Sequence, residues 1–257
     1  MHILLTNDDG MHADGLQALR KQLEGKYQLS IVAPHSEKSA IGHGITVHDP
    51  IRVDKIKFSN STTQAWSVYG TPADCVKLAL EALLDTKPDI IISGINRGAN
   101  LGTDVLYSGT VSAAIEGSIN NIPSIAVSLS SYENPVYLDA AKIIEEMLPT
   151  LEQNLKTNFL LNINIPDLPI IEVKGIEYTK LSFRRYINCI DKRHDPRGKE
   201  YYWLAGEVEP KTFTPGTDEY AVKEGFVSVT PMQFDLTAYD ALPLLSNVNF
   251  ILSNVKR

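Results

Sequence analysis

The stretch Ile3-Leu4-Leu5-Thr6-Asn7-Asp8-Asp9-Gly10, continued by Gly15-Leu16-Gln17-Ala18-Leu19-Arg20-Lys21-Gln22-Leu23 and Leu29-Ser30-Ile31-Val32-Ala33, decides how the rest of the chain reads. Ile3–Thr6 and Leu29–Ala33 are short apolar runs without polar alternation, which is how strands buried on both faces are written. Between them Leu16, Leu19 and Leu23 recur at helical spacing and share one face. Strand, helix and strand in that order make one βαβ unit, and so a parallel sheet covered by helices.

The alternation continues along the first two-thirds of the chain. Gly70-Thr71-Pro72 supplies a cap with proline at the first helical position, and Val76, Leu78, Ala79, Leu80, Leu83 and Leu84 predict a helix over about 72–84. Asp89–Ser93, Ser124–Leu129 and Phe159–Ile165 read as further buried strands. Val111–Ile119 reads as a helix whose small residues suit close packing on a sheet, and Val136–Leu155 as a helix that Pro149 kinks or ends. From about residue 170 the pattern becomes β-rich: Ile171–Tyr178, Tyr201–Glu209 and Phe226–Val229 suggest hairpins or extended arms. Tyr239–Val255, interrupted at Pro243, is expected to close the fold as a helix. The expectation is therefore a single domain of the α/β class. Its body, over about 1–170, is a three-layer α/β/α, Rossmann-like, mostly parallel sheet; a β-rich C-terminal extension and closing helix occupy about 171–257. Tyr201, Tyr202, Trp203 and Leu204 form an apolar cluster on a segment too thin to bury it, which points to an interface between copies.

Composition narrows the function classes. With 257 residues and 43% hydrophobic content the chain can bury a sizeable core. The 24 Lys+Arg against 31 Asp+Glu, a net charge of −7, argue against a broad surface for nucleic-acid polymers or anionic membranes. Cys75 and Cys189 form no CxxC, so neither a disulfide framework nor a thiolate zinc site is legible, and reduced thiols fit the cytoplasm. The N-terminal apolar run meets carboxylates at Asp8 and Asp9, too early for a signal peptide. No run approaches the roughly 20 apolar residues that span a bilayer.

In doubly wound sheets ligands bind beyond the carboxyl ends of the strands. Three such loops carry chemistry: Asn7-Asp8-Asp9-Gly10, Ala33-Pro34-His35-Ser36-Glu37-Lys38-Ser39, and Gly94-Ile95-Asn96-Arg97-Gly98-Ala99-Asn100-Leu101-Gly102. Adjacent carboxylates at the mouth of a buried strand repel unless a cation lies between them. With neutral oxygens from Ser39 and Asn96 the set suits Mg²⁺, Mn²⁺ or Ca²⁺ better than Zn²⁺ or Cu²⁺. Taken alone, such an Asp pair more often makes an Asx-turn or caps the following helix. Tyr107-Ser108-Gly109-Thr110-Val111-Ser112 turns from loop into helix. Its free N–H groups and the Ser108 and Thr110 hydroxyls would cradle phosphate, although an ordinary N-cap has the same residues. A metal site and an anion cradle at one sheet edge are the two parts that phosphoester hydrolysis requires.

Asn7-Asp8-Asp9-Gly10, Ser39 after Glu37-Lys38, Gly70-Thr71-Pro72-Ala73-Asp74-Cys75-Val76, Ser93-Gly94-Ile95-Asn96 with Asn100-Leu101-Gly102, and Tyr107-Ser108-Gly109-Thr110-Val111 resemble, in order and spacing, the motifs of the SurE family. The resemblance reaches Gly225-Phe226-Val227-Ser228-Val229-Thr230-Pro231 and so covers essentially the whole chain. It implies one divalent metal ion per subunit, Mg²⁺ or Mn²⁺, held by Asp8, Asp9, Ser39 and Asn96, and phosphate received by Asn100, Ser108, Gly109 and Thr110. It also implies hydrolysis of nucleoside 5′- and 3′-monophosphates, with short-chain polyphosphate as a further substrate, and a homodimer or homotetramer that exchanges C-terminal elements. Asp14 stands where the family commonly has Pro, and Lys38 where it commonly has Arg. Asp8 is the better candidate for accepting the proton of an attacking water, with direct nucleophilic attack by its carboxylate left open.

His43, between Gly42 and Gly44, would contact substrate or protonate a leaving group if its loop closes on the site; a plain surface histidine has the same pattern. The basic run Lys192-Arg193-His194-Asp195-Pro196-Arg197-Gly198-Lys199 reads as a solvated loop. A competing reading is a non-catalytic nucleotide-binding module. Its dinucleotide form lacks G-x-G-x-x-G in the first βα loop, where carboxylates would repel a pyrophosphate. A receiver domain lacks its phospho-accepting Asp in Ser93-Gly94-Ile95-Asn96, and D-x-D phosphatases need carboxylates two positions apart rather than adjacent.

Overall fold

Ile3, Leu4 and Leu5 are all fully buried, so the first strand has no solvent face, as its unbroken apolar run requires. The computed structural model describes residues 1–133, 135–154, 159–209, 212–245 and 248. In chain order the elements begin with β1 (His2–Thr6), α1 (Asp14–Leu23), β2 (Gln28–Pro34), β3 (Val53–Ile56), β4 (Gln64–Val68) and α2 (Pro72–Leu78). They continue with β5 (Ile90–Arg97), α3 (Gly109–Ile119), β6 (Ser124–Ser130), α4 (Tyr137–Asn154) and β7 (Leu160–Pro166). The remainder comprises β8 (Ile176–Tyr178), β9 (Tyr186–Ile187), β10 (Ile190–His194), β11 (Glu200–Leu204), β12 (Glu207–Val208), α5 (Asp218–Lys223), β13 (Val227–Pro231) and α6 (Leu242–Leu245).

Nine strands form one sheet in the order β3-β4-β2-β1-β5-β6-β7-β13-β8. Every pairing is parallel except β3 with β4 and β13 with β7. Alternate residues of β1 serve opposite faces. Ile3 and Leu5 pack with α1 and α4, through Leu16, Leu19, Leu23, Ile144 and Leu148; Leu4 packs with α2 and α3, through Val76 and Ala113. This is the expected three-layer arrangement. The chain winds outward from β1 through β2 to β4, then crosses to β5 and winds the other way, so β1 and β5 flank the point where strand order reverses.

Several elements differ from the sequence reading. The helix expected over 72–84 changes at Ala79 to a π-helical turn, Ala79–Leu83. Pro149 does not end α4, which runs on to Asn154. It lies on the exposed side, while buried Ile144, Leu148 and Leu151 continue one apolar face past it. Packing on the sheet therefore outweighs the proline penalty of about 3 kcal/mol. Within Ile171–Tyr178 only Ile176–Tyr178 is strand, preceded by a 3-10 turn at Ile170–Glu172. Both β8 and β13 join the main sheet, while β10 with β11 and β9 with β12 form a separate two-part arm. β3 and β4 escaped notice. In β4 Ala65 faces the α1 side and Trp66 and Val68 the α2 side, a mixture too short to show a period. Of the segment read as a closing helix, Tyr239–Ala241 is a 3-10 turn and Leu242–Leu245 is α6; residues 249–255 lie outside the described residues. Among the described residues no helix is long and apolar enough to cross a membrane.

Candidate active site

The loop after β1 is closed by its own first residue. Asn7 donates through Nδ2 to the Gly10 carbonyl at 3.0 Å and accepts the Gly10 N–H at 3.2 Å, with Gly10 at φ +106°. Only glycine adopts that backbone readily, and the turn lifts Asp8 and Asp9 to the sheet edge. The loop after β2 is stitched to it: the Lys38 N–H donates to the Asp8 carbonyl at 2.7 Å and the Met11 N–H to the Pro34 carbonyl at 2.8 Å.

Asp8 is buried beneath the N-terminus of α3. Its Oδ1 accepts from the Thr110 hydroxyl at 2.5 Å. At Gly109, the first residue of α3, a β-carbon would stand 2.7 Å from the Asp8 Cβ and 2.9 Å from Oδ2, so only glycine admits this approach. Free N–H groups and the helix dipole favour negative charge here. Burial nevertheless dominates and pushes the Asp8 carboxyl up to about 6, with the Thr110 hydroxyl opposing and Asp9 reinforcing the rise. Asp9 is partly buried and accepts the Arg97 N–H at 3.3 Å; burial and then neighbouring Glu37 raise its pKa, against the Arg97 N–H and guanidinium.

Two adjacent carboxyls raised by burial with a third acid beside them are a site short of positive charge, which a cation would supply. Asn96 donates its amide nitrogen to the Gly98 carbonyl at 2.9 Å, which leaves Oδ1 as a neutral donor next to Asp9's partner Arg97. Ser39 lies one residue beyond Lys38, but its exposed hydroxyl donates to Glu37 Oε1 at 2.7 Å and is not directed at the acid pair. No group of three His, Cys, Asp or Glu side chains suited to a metal occurs among the described residues. The oxygens present, two carboxylates and the Asn96 amide, suit a hard cation.

Ser108 caps α3, accepting the Val111 N–H at 3.1 Å, as an ordinary N-cap does. Asn100 is held from below. Its carbonyl accepts from Asn162 Nδ2 at 2.8 Å and Asn164 Nδ2 at 3.0 Å, its N–H donates to Asn164 Oδ1 at 2.8 Å, and its own amide donates to Ser128 at 2.9 Å. His43 is turned to α3, with Nε2 3.0 Å from Glu116 Oε2. The structure thus joins Asp8, Gly109 and Thr110 directly, sets Asp9 and Asn96 beside them, and leaves Ser39, Asn100 and His43 bonded to other groups.

Sequence reasoning missed the supports. Asn162-Ile163-Asn164 interrupts a buried apolar run with polar residues two apart, which places both on the α3 face, and that was the available signal. Asp218, fully buried, accepts the Gly102 and Ser182 N–H groups at 2.7 and 2.8 Å and so fixes the loop before Ser108; nothing local marks it. Glu116 is the one charged residue in Gly109–Ile119, which was a legible anomaly.

Comparison with known proteins finds relatives along nearly the whole chain. The family model described as Survival protein SurE matches residues 3–188. A Carboxydothermus hydrogenoformans protein named 5′-nucleotidase SurE is 56% identical over 247 residues, covering 94% of each chain. A protein of the same name from Heliobacterium modesticaldum is 53% identical over 248 residues, covering 96% of this chain and 91% of its own. The crystal structure titled as the SurE protein from Aquifex aeolicus superposes with a TM-score of 0.83 at 40% identity, covering 96% of this chain and 98% of that one.

Proposed function

This chain belongs to the SurE family, and on that premise we propose that it is a metal-dependent phosphomonoesterase, a 5′-nucleotidase that releases phosphate from nucleoside 5′- and 3′-monophosphates, with short-chain polyphosphate as a second substrate. The observation that carries the reading is the contact between buried Asp8 and the first turn of α3, which brings an acid and a helix N-terminus to one point. A divalent ion, Mg²⁺ or Mn²⁺, one per subunit on Asp8, Asp9 and Asn96, and on Ser39 once its hydroxyl turns from Glu37, would supply Lewis acidity and an activated water. Asp8, whose carboxyl burial raises in the metal-free protein, is our candidate to accept the proton of an attacking water. The Gly109 N–H and the Ser108 hydroxyl would orient the phosphate and stabilise charge on its oxygens, joined by the Thr110 N–H and hydroxyl when they turn from Asp8, with Asn100 at the rim. The test is phosphate release from a panel of nucleoside monophosphates and polyphosphates with each metal. Activity on neither class would return the chain to a non-catalytic nucleotide-binding role.

Gly109→Ala forces its new methyl into Asp8. We expect kcat/KM to fall by about a hundredfold, as for a misplacement of about 1 Å. The circular dichroism spectrum should be unchanged, since alanine is the better helix former. Wild-type kinetics in this variant would dissolve the link between Asp8 and the helix terminus.

We further propose a cytoplasmic homodimer or homotetramer that binds neither nucleic-acid polymers nor membranes. Tyr202, Trp203 and Leu204 on β11 are 56, 58 and 86% exposed on an arm with no core of its own, which favours assembly through the extension. Sedimentation should show at least a dimer at micromolar protein; Trp203→Glu with Leu204→Glu should shift it toward monomer. A wild-type monomer at that concentration would end the assembly proposal.

A further inference from the structure

Residues 39–46 run as an irregular loop between the acid site and the α2/α3 layer, with Ala40 and Gly42 both left-handed at φ +55° and +58°. The loop and the residue before it are tied down at four places. Lys38 N–H binds the Asp8 carbonyl, and Gly42 N–H binds the Tyr107 carbonyl at 2.9 Å, immediately before Ser108. Thr46 donates its N–H to Asp74 Oδ1 at 3.0 Å and its hydroxyl to Oδ2 at 2.6 Å, at the start of α2. Between these, His43 Nε2 meets Glu116.

Glu116 is a carboxylate that the proposed chemistry does not use. It is 2% exposed, yet fully partnered: Oε2 faces His43, while Oε1 takes Lys77 Nζ at 2.8 Å and Asn120 Nδ2 at 3.0 Å. Burial alone would raise its pKa, but His43 and Lys77 hold it below the usual range. A buried charge so compensated is costly to leave with one partner missing. Its helix is also the one whose first turn touches Asp8. The contact therefore ties the loop to the element that carries the anion cradle.

We propose that the His43–Glu116 contact is a latch that holds the Ser39-bearing loop against α3, making Glu116 and His43 positioning residues for the site and not groups that touch substrate. The inference rests on the reading that Ser39 belongs to that site. Its structural half is independent of any activity.

The test uses His43→Ala and His43→Gln in the full-length protein. The glutamine amide reaches the position of Nε2 and can still donate to Glu116; alanine cannot. Amide hydrogen exchange of metal-free protein, read on a peptide spanning 40–46, should quicken about tenfold or more in His43→Ala, as expected for losing a hydrogen bond to a charged group. It should stay near wild type in His43→Gln. The Mn²⁺ dissociation constant by calorimetry should rise about tenfold in the alanine variant, the lower end of the cost of losing an outer support, while kcat at saturating metal changes little. In a Glu116→Gln background the alanine substitution should add much less. Unchanged loop exchange in His43→Ala overturns the latch. So does a large loss of kcat in His43→Gln with the loop still protected, which would make His43 a substrate contact or acid. If exchange quickens but the wild type releases no phosphate with any metal, the latch stands and the phosphatase reading falls.

Discussion

Asp8→Asn is expected to lower kcat by at least about a hundredfold and, in the same protein stripped of metal, to raise thermal stability. Both effects follow from one carboxyl. Burial holds it at about 6 against an ordinary 3.8, so the folded state binds its proton more tightly than the unfolded chain does. For an acid shifted in that direction, stability is lost as pH rises from about 4 to about 6 and does not return above it. At pH 7 the cost approaches about 3 kcal/mol, which asparagine avoids while still accepting from Thr110. Melting curves of metal-free wild type and variant should therefore coincide near pH 4 and separate by pH 7, the variant higher. Taking the difference between the two proteins cancels groups whose pKa moves the other way, such as Glu24 and Glu116. Full activity in Asp8→Asn, or a variant less stable than wild type at pH 7, would remove Asp8 from the role assigned to it.

Chelation is expected to abolish turnover completely, and Mg²⁺ or Mn²⁺ to restore it. The second readout needs no substrate. A ligand that binds only the folded chain stabilises it by about 2.7 kcal/mol at a hundred times its dissociation constant. The melting temperature of wild type should rise on adding Mn²⁺, most steeply above pH 6, where Asp8 is ionised. The rise should be smaller in Asp9→Asn and absent in the Asp8→Asn/Asp9→Asn double variant. Phosphate release that persists in EDTA would exclude the metal-dependent scheme, whatever the melting curves show.

The sequence by itself determined the layer architecture, because Ile3-Leu4-Leu5 and Ile90-Ile91-Ile92 have no polar alternation and can be satisfied only by helices on both faces of a sheet. It also determined which residues gather at one edge of the sheet, since Asp8-Asp9 and Ser39 follow strands, Asn96 lies near the end of β5 beyond its bulge, and Ser108-Gly109-Thr110 open a helix, and strand polarity sends those positions to one side. Hydrophobic period and turn chemistry are local properties, legible without knowing what packs where. Tertiary structure decided what those residues touch. Pro149 continues through α4 because Leu148 and Leu151 are anchored on the sheet. Asp8 rather than Asp9 lies under α3 because Gly109 lets the helix close on it. Asp218, Asn162 and Asn164 support loops separated from them by 116, 62 and 64 residues, and His43 turns to Glu116, 73 residues on. Such partners are chosen by sheet order and helix packing, which set distances that no local pattern encodes.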